Sequence, residues 1–133
     1  MNYYKGNFNK DYEKEFSKKR GWLVGRFQGG YRKTEKVAIK FWKFKKGEGK
    51  EHTCKHEVKA TECTFIFKGE VKGIIDGKNV LLKAGDYVVI PPKIKSNMIM
   101  SVIKPVEGLT IKAPSLPEED SVKFTRDCRK RLN

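Results

Sequence analysis

The sequence is poor in cysteine, histidine and proline, and it contains no long apolar segment. Its 133 residues include three cysteines, two histidines and five prolines. The cysteines form neither a Cys-x-x-Cys pair nor a disulfide framework, so we expect reduced thiols, as in a cytoplasmic protein. No apolar run approaches the roughly 18 residues that span a bilayer, and Met1 to Lys5 lack the apolar core of a signal peptide. From these absences we expect no membrane-spanning helix and a cytoplasmic location.

Acidic residues are also scarce relative to basic ones, at 16 against 30, which gives a formal net charge of +14. Such a charge is typical of proteins with a polyanionic partner, but lysine outnumbers arginine 24 to 6 and is spread along the chain. A lysine-rich genome explains the same composition. The densest cluster runs from Arg126 to Arg131, and we interpret it as a solvated tail, with contact to a phosphate or an acidic partner as the alternative.

The length predicts one domain, and the apolar residues cluster in short alternating runs that favour β-strands. We expect a polar segment with a short helix over residues 1–20, a β-barrel domain over residues 21–117 and a basic tail over residues 118–133. Residues 36–46 alternate with aromatics on both faces, which predicts a strand between two layers. Asp76-Gly77 is the strongest hairpin signal in the chain.

Both histidines and two of the three cysteines lie within residues 52–63. Side chains of an extended strand alternate between faces, so we expect His52, Cys54 and His56 to share one face, which Glu62 joins. These groups are ligands of transition metals, and the run predicts a candidate metal site. Alternatively, His56 and Glu62 hydrogen-bond to each other in a metal-free cavity, Cys54 is a nucleophile or a buried inert residue, and His52 is an exposed polar residue.

The spacing around this run resembles the first motif of the cupin family, which reads His-x-His, three or four residues, Glu, six residues, Gly. Glu62 lies seven positions before Gly69, as this motif requires. His56 then takes the first histidine position and Val58 the second. A one-residue bulge gives another register, in which Cys54-Lys55-His56 stands for His-x-His. The ligand set is therefore His56 with Glu62, or Cys54, His56 and Glu62 together.

The second cupin motif, Gly, five residues, Pro-x-Gly, two residues, His, is matched in part. Gly85 and Pro91 fit it, whereas Lys93 stands at the later glycine and Ser96 at the histidine. The segment that begins at Gly85 predicts a turn followed by a buried strand, which ends at the prolines. The resemblance in fold covers about two-thirds of the chain.

The resemblance implies an all-β, cupin-type double-stranded β-helix, or jelly-roll barrel, and a homodimer in which the N-terminal strand is exchanged or paired. It also implies a cavity for a small molecule, which in metal-bearing cupins holds Zn, Fe, Mn or Ni. The candidate catalytic residues are His56, Glu62 and Cys54, and His52 is a further candidate metal ligand. Besides His56 and Glu62, the residues expected to line the cavity are Thr64, Tyr87 or Val88, Ser96 and Met98.

Two functions from different classes follow. The first is a small-molecule-binding cupin whose ligand is polar and anionic, such as a phosphorylated compound or a sugar nucleotide, with isomerase-like, epimerase-like or metal-dependent activity. The second is a non-catalytic basic barrel that binds single-stranded nucleic acid through lysines and aromatics such as Phe41, Trp42 and Phe44. An acidic Glu62 on the inner face suits a closed cavity better than a polyanion groove, so we prefer the first.

Overall fold

The computed structural model describes residues 3–129, without the side chains of residues 15–19. This part of the chain contains one N-terminal α-helix, two single-turn 3-10 helices (Gly30–Arg32 and Glu118–Asp120) and eight strands, and all the strand pairs are antiparallel. The all-β prediction with a short N-terminal helix is confirmed. The elements are α1 (Phe8–Lys19), β1 (Trp22–Val24), β2 (Ala38–Phe44), β3 (Lys55–Glu57), β4 (Thr61–Ile75), β5 (Lys78–Lys83), β6 (Tyr87–Ile90), β7 (Ser96–Ala113) and β8 (Ser121–Lys123).

The strands form one curled antiparallel sheet in the order β1-β2-β7-β3-β8, and β4 pairs with β5, β6 and β7. The strands β4 and β7 are longer than the short runs expected from the sequence. They stay continuous because the ladder between them shifts register at several points instead of breaking. At one of these points Gly69 has φ 84°, and a Cβ there would overlap the carbonyl oxygen of Pro105, so the bend requires glycine. The sheet curls around an interior as a result.

The predicted hairpin at Asp76-Gly77 is confirmed, since these two residues join β4 to β5 with φ values of 52° and 75°. Positive φ at both central residues is the geometry that matches the twist of paired strands, and it favours this residue pair. The hairpin fixes the register in which Ile75 faces Lys78.

The strand β2 lies between two layers, as predicted. On one side the fully buried ring of Phe41 packs against α1, with ring centroids 5.4 Å from Tyr12 and 4.7 Å from Phe8. On the other side Trp42, 5% exposed, enters the barrel. Because both rings are buried, they are not available to stack on nucleic-acid bases.

Apolar side chains fill one end of the barrel. Trp42 stands at the edge of this cluster and packs over Gly108, where a Cβ would overlap the indole ring. Burying each such side chain contributes about 1.5–3 kcal/mol, so this end supplies much of the stability. The buried members of the cluster are Trp42, Ile66, Val71, Leu82, Ile99, Val102 and Val106.

The segment that we expected to be a basic tail is joined to the barrel as far as the structure describes it. The strand β8 pairs with β3, and the guanidinium of Arg126 donates hydrogen bonds to backbone carbonyls that include those of Lys50, His52 and Met100. The sheet therefore continues beyond residue 117, and Arg126 is not a solvated residue. Residues 130–133 lie outside the described part. Within residues 3–129 no helix is long and apolar enough to cross a membrane.

The prediction of reduced thiols is wrong for two of the three cysteines, because Cys54 and Cys128 form a disulfide with a Cα–Cα distance of 5.1 Å. Their separation of 74 residues gives no local spacing pattern, which is why the sequence did not reveal the pair. Cys63 is a free thiol.

Candidate functional site

The barrel holds a cavity of about 490 Å³, whose lining includes Trp42 and Ile99 of the apolar cluster. Its wall includes two rows of side chains that cross three neighbouring strands. In one row Lys40 faces Thr110, which faces Thr64. In the next row Lys112 lies between Ala38 and Glu62. Polar and charged groups therefore share this part of the interior, since residues two apart on a strand point to the same face.

A cluster of lysines and glutamates occupies this cavity. The ammonium group of Lys55 lies 2.6 Å from Glu57 Oε1 and 2.9 Å from Glu62 Oε1. Lys112 Nζ lies 2.8 Å from the same Glu57 oxygen, and the hydroxyl of Ser121 donates to Glu57 Oε2. Glu57 and Glu62 are 5% and 4% exposed. Buried charges of this kind are tolerated only when they are paired and hydrogen-bonded, as these are.

The ion pairs decide the charge state of Glu57. Burial alone would raise the pKa of its carboxyl group, but the charges and hydrogen bonds of Lys55 and Lys112 outweigh burial and lower this pKa to about 2. Burial would lower the pKa of Lys55, yet Glu62 and Glu57 raise it. Both groups are therefore ionised at neutral pH.

Lys40 differs from Lys55 and Lys112, the two lysines that bind the carboxylates. Its Nζ forms no ion pair with a carboxylate among the described side chains of residues 3–14 and 20–129, and it lies 5.6 Å from the ring centroid of Trp22. Burial, followed by the positive charges of Arg20 and Lys112, lowers the pKa of Lys40 to about 8, against a smaller opposing effect of Glu62. Lys40 is thus a cavity cation without a fixed counter-charge.

A chain of hydroxyl groups links the charged rows to the apolar end. The indole Nε1–H of Trp42 donates to Thr110 Oγ1 at 2.9 Å, and Thr110 Oγ1 lies 3.1 Å from Thr64 Oγ1. The indole ring is held between Gly108 and this hydroxyl pair. The cavity floor is therefore an aromatic ring with satisfied polar atoms beside it.

The structure brings five of the predicted residues to the cavity wall, which are His52, Glu62, Thr64, Ser96 and Met98. His52 is half-buried, with Nδ1 3.2 Å from the carbonyl oxygen of Gly49. Burial, followed by the charge of Lys40, lowers the pKa of His52. Its imidazole is therefore held neutral beside the cavity.

The predicted position of His56 is wrong. Its ring does not line the cavity but packs against Phe124, with ring centroids 5.2 Å apart. The parity argument failed because Val58 to Ala60 interrupt the strand, so that β3 and β4 are separate. Odd-numbered residues point inward on β3, where Lys55 and Glu57 lie, and even-numbered residues do so on β4. Neither of the two registers considered for the first motif anticipates this change.

Two further candidates also lie outside the cavity. Cys54 is fully buried in its disulfide, so it offers neither a thiolate ligand nor a nucleophile. Tyr87 is 65% exposed and stacks on Phe65 on the outer face, with centroids 5.5 Å apart. Val88, the alternative to Tyr87, faces inward against the apolar cluster.

The side chains around Glu62 do not fit a transition metal. Among the described residues no group of three or more His, Cys, Asp or Glu side chains converges to hold one. The carboxylates of Glu57 and Glu62 instead share the ammonium group of Lys55, which supplies the positive charge between them. A metal at this position would have to displace a cation that both carboxylates already bind.

Four further residues of the cavity wall were not predicted from the sequence, namely Lys40, Lys55, Glu57 and Lys112. A signal for Lys40 was present, because the alternation of residues 36–46 put it on the same face as Trp42. The pairing of Lys55 with Glu57 had no such signal, since alternation from His52 assigned both to the outer face.

Comparison with known proteins identifies the fold. The family described as "Cupin domain" matches residues 40–111, which is more than half of the chain. No curated protein matches the chain in sequence. Among solved structures, a variant of Streptomyces PAC13 with uridine is similar over 70% of this chain and 71% of that chain, with 15% identity and a TM-score of 0.59. PAC13 is described as a nucleoside dehydratase.

Two other solved structures are similar. A cupin protein from Bacteroides fragilis matches over 75% of this chain and 80% of that chain, with 21% identity and a TM-score of 0.54. Salicylate 1,2-dioxygenase from Pseudaminobacter salicylatoxidans matches over 69% of this chain but 26% of that chain, with 15% identity and a TM-score of 0.57. At these identities the similarity concerns the fold, and it confirms the double-stranded β-helix.

Proposed function

Because the chain belongs to the cupin family, we propose that it is a small-molecule-binding protein whose barrel cavity takes a polar ligand with a negative charge. The observation that carries this proposal is the uncompensated cation in the cavity. Both carboxylates of the cluster, Glu57 and Glu62, are bound by lysines, whereas Lys40 has no carboxylate partner among the described residues.

Counting the charges of the inner cluster supports an anion. Lys40, Lys55 and Lys112 contribute three positive charges and the two glutamates contribute two negative ones, which leaves one positive charge. The excess positive charge is confined to this inner cluster, because the other charged residues of the lining are two basic and three acidic ones: Arg20, Lys123, Glu51, Glu118 and Asp120. Buried charge of one sign attracts a counter-charge, and a carboxylate or phosphate group is a suitable one.

The shape of the cavity supports a ligand with a flat ring. A volume of about 490 Å³ lies within the usual range for small-molecule sites. Trp22, Trp42 and Phe44 supply aromatic walls, and the hydroxyls of Thr64 and Thr110 lie beside them. Uridine is present with Streptomyces PAC13, so uridine and its phosphorylated derivatives are reasonable first ligands to test.

A thermal-shift series tests the proposal with uridine, uridine 5′-monophosphate and a uridine diphosphate sugar. We expect the anionic compounds to raise the melting temperature more than neutral uridine does. A ligand at 100 times its Kd stabilises the folded state by about 2.7 kcal/mol. Lys40→Met should weaken this effect, while Lys78→Met, at an exposed hairpin position, should leave it unchanged.

The proposal fails if no anion raises the melting temperature, or if Lys40→Met and the natural protein bind anions equally well. Single-stranded oligonucleotides belong in the same series. Stabilisation by an oligonucleotide that is insensitive to Lys40→Met would favour the nucleic-acid alternative, with its contacts outside the cavity.

A further inference from the structure

The surroundings of Lys40 distinguish it from Lys55 and Lys112, the other two lysines of the inner cluster. Lys55 and Lys112 are each held by carboxylates at 2.6–2.9 Å. Lys40 has no such partner among the side chains that the structure describes, and its Nζ projects over Trp22, whose ring centroid lies 5.6 Å away. Lys112 Nζ lies 5.4 Å from the same centroid, so two amines share one aromatic ring. An amine in a desolvated pocket beside another cation is a recurrent arrangement for nucleophilic lysines.

The charged groups that act on Lys40 come from several elements and mostly oppose its protonation. Burial has the largest effect and lowers the pKa of Lys40. The positive charges of Arg20 and Lys112 lower this pKa further. Glu62 raises it, and Lys55 lowers it by the smallest amount. With a pKa of about 8, about one Lys40 side chain in ten is a neutral amine at pH 7. For an ordinary lysine the neutral fraction is about one in three thousand. At pH 7 Lys40 therefore has a far larger fraction of the neutral, nucleophilic amine than an ordinary lysine.

We propose that Lys40 is a nucleophilic amine that forms a Schiff base with the carbonyl carbon of an anionic aldehyde or ketone in the cavity. This inference rests on the proposed function, and it adds the chemical class of the ligand. The amine nitrogen forms a bond to the carbonyl carbon, and the carbonyl oxygen leaves as water with the two hydrogens of the neutral amine. No oxidant or reductant is required.

The neighbours of Lys40 suit the two parts of such a ligand. Arg20 lines the same cavity and offers positive charge to a carboxylate or phosphate. Thr110, opposite Lys40 across the strand pair, lies 3.1 Å from Thr64, so hydroxyl groups are available to the oxygen that leaves. An imine carbon next to this charge cluster would be a good electron sink for proton removal at the adjacent carbon.

Reductive trapping tests the inference. The full-length protein is incubated with glyoxylate and sodium cyanoborohydride at pH 7, and the carboxymethylated lysines are identified by peptide mass spectrometry. We expect Lys40 to be modified at least about tenfold faster than the exposed Lys78, because of its larger neutral fraction. The rate at Lys40 should rise with pH and level off above about pH 8, a profile that accessibility alone does not produce. In Lys40→Arg, which keeps the charge, no other cavity lysine should acquire this rate.

Preferential modification of other lysines, or a rate at Lys40 that keeps rising to about pH 10, would overturn the inference. If uridine 5′-monophosphate raises the melting temperature but Lys40 is not preferentially trapped, the proposed function stands and the Schiff base is wrong. If Lys40 is trapped but no anion stabilises the protein or protects Lys40, the proposed function is wrong, and with it the anionic class of carbonyl ligand.

Discussion

Replacing Glu57 by glutamine should destabilise the protein more than any single loss of a surface charge. The glutamine keeps the size of the side chain but removes the charge that Lys55 and Lys112 share at 2.6 Å and 2.8 Å. Lys55 retains Glu62 at 2.9 Å, whereas Lys112 loses the carboxylate that it contacts. Removing one partner of a buried ion pair costs about 3–5 kcal/mol, because the other charge stays buried without compensation.

The lowered pKa of Glu57 gives a second value, of similar magnitude, for the free energy that the ion pairs contribute to folding. The gap between its ordinary value of 4.5 and its value of about 2 in the folded protein corresponds to about 3 kcal/mol. Because the folded-state pKa is the lower one, this stabilisation is present above about pH 4.5 and is lost as the pH falls towards about 2. The natural protein should therefore lose this contribution over that window, and Glu57→Gln should not, since it has already lost it.

Urea denaturation of both proteins at pH 7 and at several values down to about pH 3 measures these differences. Glu107→Gln is the matched control, because Glu107 pairs with the exposed Lys68 at 3.8 Å. Such surface pairs contribute about 0–1 kcal/mol. The argument is refuted if Glu57→Gln is within 1 kcal/mol of the natural protein at pH 7, or if the two stability curves run parallel below pH 4.5.

Three further predictions follow from the site and its walls. Protein purified without added metal should contain well under one equivalent of transition metal by elemental analysis, because Lys55 bridges the carboxylates; a full equivalent that disappears in Glu62→Ala would contradict this. His56→Ala should leave the ligand affinity, measured by calorimetry, within about twofold of the natural protein, since His56 lies outside the cavity. A loss of affinity of tenfold or more, about 1.4 kcal/mol, would show that His56 contacts the ligand. Gly108→Ala should cost about 1–3 kcal/mol by overpacking against Trp42 and change the tryptophan fluorescence, whereas Gly29→Ala, where a Cβ meets nothing within 4 Å, should be neutral; equal effects would argue against the close packing.

Local signals in the sequence predicted the strands and turns well. Alternation put Phe41 and Trp42 on opposite faces of one strand, and Asp76-Gly77 located the hairpin, because both patterns depend on neighbouring residues. The strand expected after Gly85 is present as Tyr87–Ile90, but it is buried on one face only, since Tyr87 and Val89 are exposed. The position of Glu62 inside the barrel came from the spacing of the cupin motif.

The errors concern contacts between residues far apart in the chain. A break of three residues after Glu57 reversed the parity on which the position of His56 depended. The strand Ser121–Lys123 is too short to show a period, and its assignment depends on pairing with β3, more than 60 residues away. Such long-range pairs have no local pattern, which also explains why the Cys54 disulfide was missed. The homodimer and the cytoplasmic location stay predictions, which sedimentation at micromolar concentration and fractionation of cells would test.

The contacts of Glu57 also determine when in folding the cavity acquires its charges. Its partners lie at positions 55, 112 and 121, so the cluster is complete only after β3, β7 and β8 have docked. Contacts of large sequence separation form slowly, because the loops between them must close first. A refolding chain should therefore gain β-structure before it gains any affinity for an anion. Under the proposed function, anion binding should then report the last step of folding, and partly folded chains should not bind the anion.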